Sequence, residues 1–329
     1  TEQRPIQPTP VGALRFNTDT ALLEYFDGNQ FVNIAIDSPE QNTGGTRGLT
    51  AAGYSDTNQI DFFNIDTTGN ASDFGDRTIS SQQPGSASSK TRGCMAGGHT
   101  GSNSNVIDFI TIASTGDAQD FGDLTQTGHG ISMNMNDQTR GVFVGRTSGS
   151  NQNTIDYITL AQTGNAADFG DMTSTARNVG GGSSPTRAVF AMNNGDNVIE
   201  FITISTLGNS ADFGDTTYSD GALGSGGSNA IRCLMTNGKG SSDEVCFVTI
   251  ATLGNASDFG DLSTTSSTQL PVIPTSRTRA VRVGGQSPSF TNTMDYAQIM
   301  TTGNFIDFGD SNVIKSGRCS MSNGHGGLG

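Results

Sequence analysis

The residues best suited to chemistry in this 329-residue chain are acidic, and they recur. Asp-Phe-Gly-Asp stands at 73–76, 120–123, 168–171, 212–215, 258–261 and 307–310. An aspartate in that setting can hold Mg²⁺ for phosphoryl transfer, but only beside a Gly-rich loop, a strand lysine and a His-Arg-Asp loop. The sequence has none of these. Catalysis uses one constellation of unlike groups, whereas a phrase written six times solves one structural problem per repeated unit. The non-repeated charges in "NGKGSSDEVCF" (237–247), Lys239, Asp243 and Glu244, are flanked by Gly and Ser and read as an exposed loop rather than the spaced carboxylate pair of a glycosidase. His99, His129 and His325 lie far apart and show no metal-ligand spacing. Cys94, Cys233, Cys246 and Cys319 form no Cys-x-x-Cys motif. They read as buried free thiols, although Cys233 and Cys246 fall on strands that could neighbour each other. No cofactor, metal or catalytic residue is expected.

The elements that carry the phrase repeat with it. A strand opened by arginine comes first, as in "TRGVFVG" (139–145), and gives Arg47, Arg92, Arg140, Arg187, Arg232 and Arg279. An alternating strand follows, as in "IDFITI" (107–112), whose period of two is a strand signal. A Gly-Asn turn then leads into the Asp-Phe-Gly-Asp strand. The alternating strands begin at 60, 107, 155, 199, 245 and 294, steps of 44 to 49 residues. With a Ser/Gly-rich tract as the fourth strand, that period predicts β-propeller blades. The first unit lacks a preceding tract, and the last is followed by a surplus one, "SNVIKSGRCSMSNGHGG" (311–327). The expected fold is therefore all-β, a six-bladed β-propeller over residues 46–329, closed by a C-terminal strand and preceded by a small β-meander arm over residues 1–45. Closure would remove exposed strand edges.

Each repeated residue type has an expected structural task. Phe74, Phe121, Phe169, Phe213, Phe259 and Phe308 should wedge between adjacent blades, each burying on the order of 150–250 Å². Phe62, Phe109, Tyr157, Phe201, Phe247 and Tyr296 should fill the same layer. Gly75 and its equivalents mark a bulge or a close backbone approach. The arginines and Asp73, Asp120, Asp168, Asp212, Asp258 and Asp307 begin strands at the same end of a blade, which predicts an Arg–Asp ladder. The turn asparagines are expected to bond their own backbone. An anion site on the arginines and calcium at the Asn/Asp turns are weaker readings of the same residues.

Composition excludes several classes. The formal charge of −14 and the lack of a basic patch argue against nucleic acid. Twelve of the 31 acidic residues belong to the six phrases, so the repeat itself accounts for much of the acidity. No segment approaches the ~20 apolar residues of a membrane span, and "TEQRPIQPTPVG" lacks the regions of a secretory signal.

The Arg…Gly-Gly strand, the alternating strand and the aromatic last strand resemble a kelch repeat with Phe in place of Trp. More closely, "TRG…GG…IDFITIASTGDAQDFGDLT" resembles repeats in structural proteins of tailed phages, over residues 46–327. "VGALRFNTDTALLEYFDGNQFVNIAI" (11–36) reads as three short strands broken at Asn17–Thr20 and Asp27–Gln30. It resembles a module of phage fibre proteins, with Phe31 where Trp is usual. The preceding "RPIQPTP" suits an extended arm. The resemblance implies a non-enzymatic virion component: a capsid decoration, tail or fibre protein. Residues 1–45 would attach to other virion proteins or form a homo-oligomer, and the propeller would meet a host-surface protein or glycan. A glycan-binding adhesin with one pocket per blade, or a propeller carbohydrate-active enzyme, are the alternatives. The departures from the repeat at 237–247 and 263–279 are the places for an individual function.

Overall fold

Alternation of β-branched and aromatic residues with polar ones, punctuated by Gly-rich turns, builds short antiparallel strands and no α-helix among the described residues. The computed structural model describes residues 10–17, 22–33, 46–55, 57–192, 195–218, 225–237, 242–266, 271–286 and 289–328. The chain divides into two units, residues 1–43 and 44–329.

In the first unit β1 (Leu14–Asn17), β2 (Leu22–Phe26) and β3 (Phe31–Asn33) form a three-stranded meander. Asp27 accepts hydrogen bonds from the N–H groups of Asn29 and Gln30 and so shapes the second turn. Those bonds hold its carboxyl below the usual range. On one face Arg15 pairs with the Glu24 carboxylate and lies 4.0 Å from the centre of the Phe31 ring. On the other, Leu14 and Phe16 are exposed. The first expected turn, at Thr18–Thr20, and most of the proline-rich segment before the meander lie outside the described residues.

The second unit holds six small antiparallel sheets in a propeller-like arrangement. Sheet I joins β4 (Arg47–Ala51), β5 (Thr57–Asn64) and β6 (Ser72–Ser81) to β25 (Cys319–Ser322), from the far end of the chain. Ser320 there faces Thr50, and Met321 faces Leu49. Sheet II is β7 (Gly85–Ser88), β8 (Arg92–His99), β9 (Asn103–Thr111) and β10 (Gln119–Asp123). Sheet III is β11 (Arg140–Ser148), β12 (Ser150–Thr159) and β13 (Ala167–Ala176). Sheet IV is β14 (Gly180–Ser183), β15 (Arg187–Ala191), β16 (Val198–Thr203) and β17 (Ala211–Asp215). Sheet V is β18 (Gly226–Ser228), β19 (Arg232–Thr236), β20 (Ser242–Thr249) and β21 (Ser257–Ser266). Sheet VI is β22 (Arg279–Val283), β23 (Thr293–Gln298) and β24 (Ile306–Asp310).

Among the described residues sheets III and VI have three strands rather than four. Isolated bridges such as Asn136–Gly141 and Thr275–Ala280 stand where the other sheets have a first strand. The apolar core lies between sheets. Val144 and Phe169 of sheet III pack with Phe190 and Ile202 of sheet IV, and Phe213 of sheet IV with Met235 and Val248 of sheet V. One cluster combines Phe308 of sheet VI, Leu49 and Phe74 of sheet I, and Met95 and Ile110 of sheet II. Neighbouring sheets thus bury each other's faces, as stacked repeats must.

Candidate functional site

The repeated phrase is a seam between sheets. Its Gly-Asn half belongs to one sheet and its Asp-Phe-Gly-Asp half is gripped by the next. The N–H of Gly116 donates to Phe74 O, Gly164 to Phe121 O, Gly208 to Phe169 O, Gly254 to Phe213 O, Gly303 to Phe259 O and Gly69 to Phe308 O, at 2.8–2.9 Å. Two residues on, Ala118 donates to Asp76 O, and the equivalents repeat through Ala71 to Asp310 O. The turn side chains add a third bond. Asn165, Asn209, Asn255, Asn304 and Asn70 accept from the backbone N–H of Asp123, Asp171, Asp215, Asp261 and Asp310, and Asp117 does the same for Asp76. These side chains therefore serve the neighbouring sheet and not their own turn, which corrects the expectation of a local Asn turn.

The glycine of Asp-Phe-Gly is required by the same seam. Gly170 sits at a bulge with φ +148°, and a Cβ there would meet Gly208 of the next sheet's turn at 2.5 Å. Gly309 stands in the same relation to Gly69, at 2.6 Å. Such backbone-on-backbone approach excludes any side chain.

The six arginines do not form a ladder with the aspartates. Each is half-buried and lies over the aromatic ring of its own sheet's alternating strand, 4.4–5.0 Å from the ring centre. Each then reaches across to a backbone carbonyl where the next sheet's alternating strand ends: Arg47 to Ile112, Arg92 to Leu160, Arg140 to Ile204, Arg187 to Ile250, Arg232 to Ile299, and Arg279 to Ile65 and Asp66. The ring beneath packs edge-on to the buried Phe of the last strand, as Tyr157 does to Phe169 at 6.0 Å. All six Phe of the phrase are buried. Asp73, Asp120, Asp168, Asp212, Asp258 and Asp307 are exposed. The ladder fails for a physical reason. A guanidinium over an aromatic face satisfies an unpaired strand-end carbonyl, while an exposed carboxylate stays solvated in water.

A second set of acids escaped the sequence reading. The residue after the first apolar position of the alternating strand is a fully buried carboxylate in five sheets: Asp61, Asp108, Asp156, Glu200 and Asp295. Arg318 meets Asp61 at 2.8 Å, Arg77 meets Asp108 at 2.8 Å, Arg146 meets Asp156 at 2.7 Å and Arg282 meets Asp295 at 2.8 Å. Glu200 takes the hydroxyls of Thr173 and Ser210 instead. A hydroxyl four residues after the phrase's Phe reaches this acid on the next sheet: Thr78 to Asp108, Thr125 to Asp156, Thr173 to Glu200 and Ser263 to Asp295. In sheet V the position is Cys246, whose thiol burial pushes up to about 11. All four cysteines are free and buried. The acid recurring between an apolar and an aromatic residue in "IDF" was the available signal.

The first strands or bridges of the six sheets are tied by a cycle of hydrogen bonds. Ser322 donates to Thr275 O (2.6 Å), Thr275 to Ser228 O (2.7 Å), Ser228 to Ser183 O (2.8 Å), Ser183 to Asn136 O (2.7 Å), Asn136 to Ser88 O (2.5 Å), and Ser88 to Ser322 O (2.9 Å), which returns to the start. Against this cycle sits His325. Gly327 N–H donates to its Nδ1 at 3.1 Å, so Nε2 carries the proton and faces Ser88 O at 3.0 Å. Burial lowers its pKa to about 4. The short 3₁₀ turn Gly326–Leu328 packs beside it.

Where the first strand hands over to the arginine strand, Ser89, Lys90, Thr91 and Arg92 of sheet II face Leu160 and Ala161 of sheet III across a cleft of about 320 Å³. At the opposite ends of the strands, His99 and His129 come together with ring centres 5.3 Å apart, although 30 residues separate them in sequence. His129 Nδ1 lies 2.7 Å from Asn103 Oδ1, and burial, then His99 and Arg177, lower its pKa to about 4. Of the non-repeated charges, Glu244 accepts from Thr217, while Lys239 lies outside the described residues. Part of the long connection at 263–279 also lies outside them. Among the described residues no group of three or more His, Cys, Asp or Glu is placed to hold a metal ion, and no helix is long and apolar enough to cross a membrane. No protein-family model matches the chain, and no curated protein matches it.

Proposed function

We propose that residues 46–329 are a six-bladed, kelch-like β-propeller closed by the C-terminal strand, and that the chain is a non-enzymatic structural protein of a tailed-phage virion. The observation that carries this reading is the use of the repeat. Every repeated glycine, phenylalanine and arginine is spent on holding one sheet to the next, and the contacts run from sheet I through sheet VI and back to sheet I. A scaffold needs six equal seams; a catalytic centre needs unequal groups. Pairing of β25 with β4 and the six-membered hydrogen-bond cycle support closure.

Residues 1–45 attach the chain to other virion proteins or to further copies of itself. The exposed Leu14 and Phe16 of the meander favour such contact, since so small a sheet buries little on its own. The propeller then presents its variable strand ends outward, to a host-surface protein or glycan. Mass spectrometry and a density map of the purified particle test the assignment directly. Removing residues 1–45 should leave a folded propeller that no longer enters particles, and unchanged incorporation would sink the arm's role.

A further inference from the structure

The cleft between sheets II and III departs from the repeat in its charges. The residue two before the strand-opening arginine is Gly45, Lys90, Gln138, Pro185, Ala230 or Arg277 in sheets I to VI, so two units bring a second cation to this place. At the sheet VI to sheet I seam, Arg279 reaches the backbone carbonyls of Ile65 and Asp66, and the acid following Ile65 there accepts from the Thr46 N–H at 2.9 Å. At the sheet II to sheet III seam the position of Asp66 is taken by Ala161, directly after the Leu160 that Arg92 bonds. Lys90 and Arg92 therefore share a cleft whose lining has no acid. Among the described residues Lys90 has no ion-pair partner, and Arg92 spends only one nitrogen, Nη1, on Leu160 O at 2.8 Å. In a chain of net charge −14 this is a local excess of positive charge at an open cavity.

The rest of the lining is suited to a hydroxylated ring. Ser89 Oγ accepts from the N–H groups of Arg92 (3.0 Å) and Thr91 (3.3 Å), and the Thr91 hydroxyl, whose one contact among the described residues is Ser89 Oγ at 3.5 Å, is the freer of the two. Leu160 and Ala161 offer an aliphatic wall, and the cavity of about 320 Å³ is at the small end for ligand sites. We propose that the Lys90–Arg92 cleft binds an acidic saccharide residue, its carboxylate or sulfate between the two cations and its ring against Leu160 and Ala161. The inference goes beyond the structural role and does not depend on where in a particle the chain resides.

Calorimetric titration of the full chain tests it with four probes: methyl glucuronide, a sulfated methyl glucoside, neutral methyl glucoside and sodium sulfate. The expected result is saturable binding of at least one acidic sugar, with the neutral sugar and the bare anion weaker by about tenfold or more, since charge-assisted bonds carry the contact. Lys90→Gln should weaken that binding by about tenfold, Ala161→Asp should remove it, and Lys315→Gln, a lysine outside the cleft, should leave it unchanged. Raising sodium chloride from about 50 to about 500 mM should weaken it further. Binding of neither acidic sugar, equal binding by Lys90→Gln with an unchanged melting point, equal binding of the neutral sugar, or sulfate bound as tightly as the sugars would each overturn the proposal. Should Ala161→Asp fail to fold, Lys90→Gln decides alone. Loss of sugar binding with particle incorporation intact separates this site from the structural function.

Discussion

Two interiors of the second unit solve the same problem differently. The seam of Gly-Asn against Asp-Phe-Gly-Asp is written six times with one change, Asp117 for the turn asparagine. The buried carboxylate on the alternating strand is neutralised in a different way almost every time. Arg77 comes from the last strand of the preceding sheet, Arg146 and Arg282 come from non-equivalent positions on their own arginine strands, and Arg318 comes from the segment before β25. Sheet IV uses hydroxyls and sheet V replaces the acid with Cys246. The difference follows from the forces involved. Backbone packed so closely that an added Cβ would lie 2.5 Å from the next sheet's turn tolerates one residue type at one position. A buried charge needs a partner, and a long flexible guanidinium can reach it from several places.

The strongest test of this contrast is removal of a cation. Arg146→Ala strands Asp156, which is fully buried, and should cost about 3–5 kcal/mol in denaturant unfolding. Pairing that change with Asp156→Leu should recover most of the loss; a double variant as unstable as the single would show that the pair does more than neutralise charge. Next comes the pH response of His325. Its pKa is about 4 in the folded protein and 6.5 in its ordinary state, so the unfolded chain takes up the proton first as pH falls. Stability should be full above pH 6.5 and decline down to about pH 4, by roughly 3 kcal/mol. The decline should be shallower in His325→Gln, and identical slopes would refute the assignment to this residue. His129 titrates in the same window and contributes equally to both proteins.

At the seam, Gly170→Ala should cost about 2–3 kcal/mol through a strained φ and a backbone clash. A change below about 0.5 kcal/mol would mean the sheets can slide apart to admit a methyl group. Asn209→Ala removes one bond to Asp171 N–H and should cost about 1 kcal/mol. Smallest of all, Asp168→Asn should fall within about 0.5 kcal/mol, because this carboxylate is exposed and the arginine ladder that would have used it is absent. A larger loss for Asp168→Asn than for Asn209→Ala would reverse the ranking of the two halves of the phrase.

Much of the fold was legible. "IDFITI" is a strand by its own alternation, and the Gly of Asp-Phe-Gly announced a bulge or close approach. The surplus tract after the sixth phrase pointed to the strand that joins sheet I. Less of the candidate site could be read. Ser89-Lys90-Thr91 looks like a turn, and its cleft exists only because Leu160 and Ala161, 70 residues later, face it. Likewise nothing in "GGHTGS" and "TGHGIS" told that His99 and His129 would touch.

The sequence by itself determined the arginine strand, the alternating strand and the Asp-Phe-Gly-Asp strand of each unit and the residues that must recur, because alternation, turn chemistry and the need for glycine are local properties. Only the tertiary structure decided who pairs with whom. In a repeat, the residue that could partner Arg140 has the same identity in its own unit and in the next, so a contact within a sheet and one between sheets are written with the same letters. Packing resolved that degeneracy in favour of the neighbouring sheet: it placed the arginines on strand-end carbonyls, the turn asparagines on the next strand's amides, and left the first aspartate of each phrase to water.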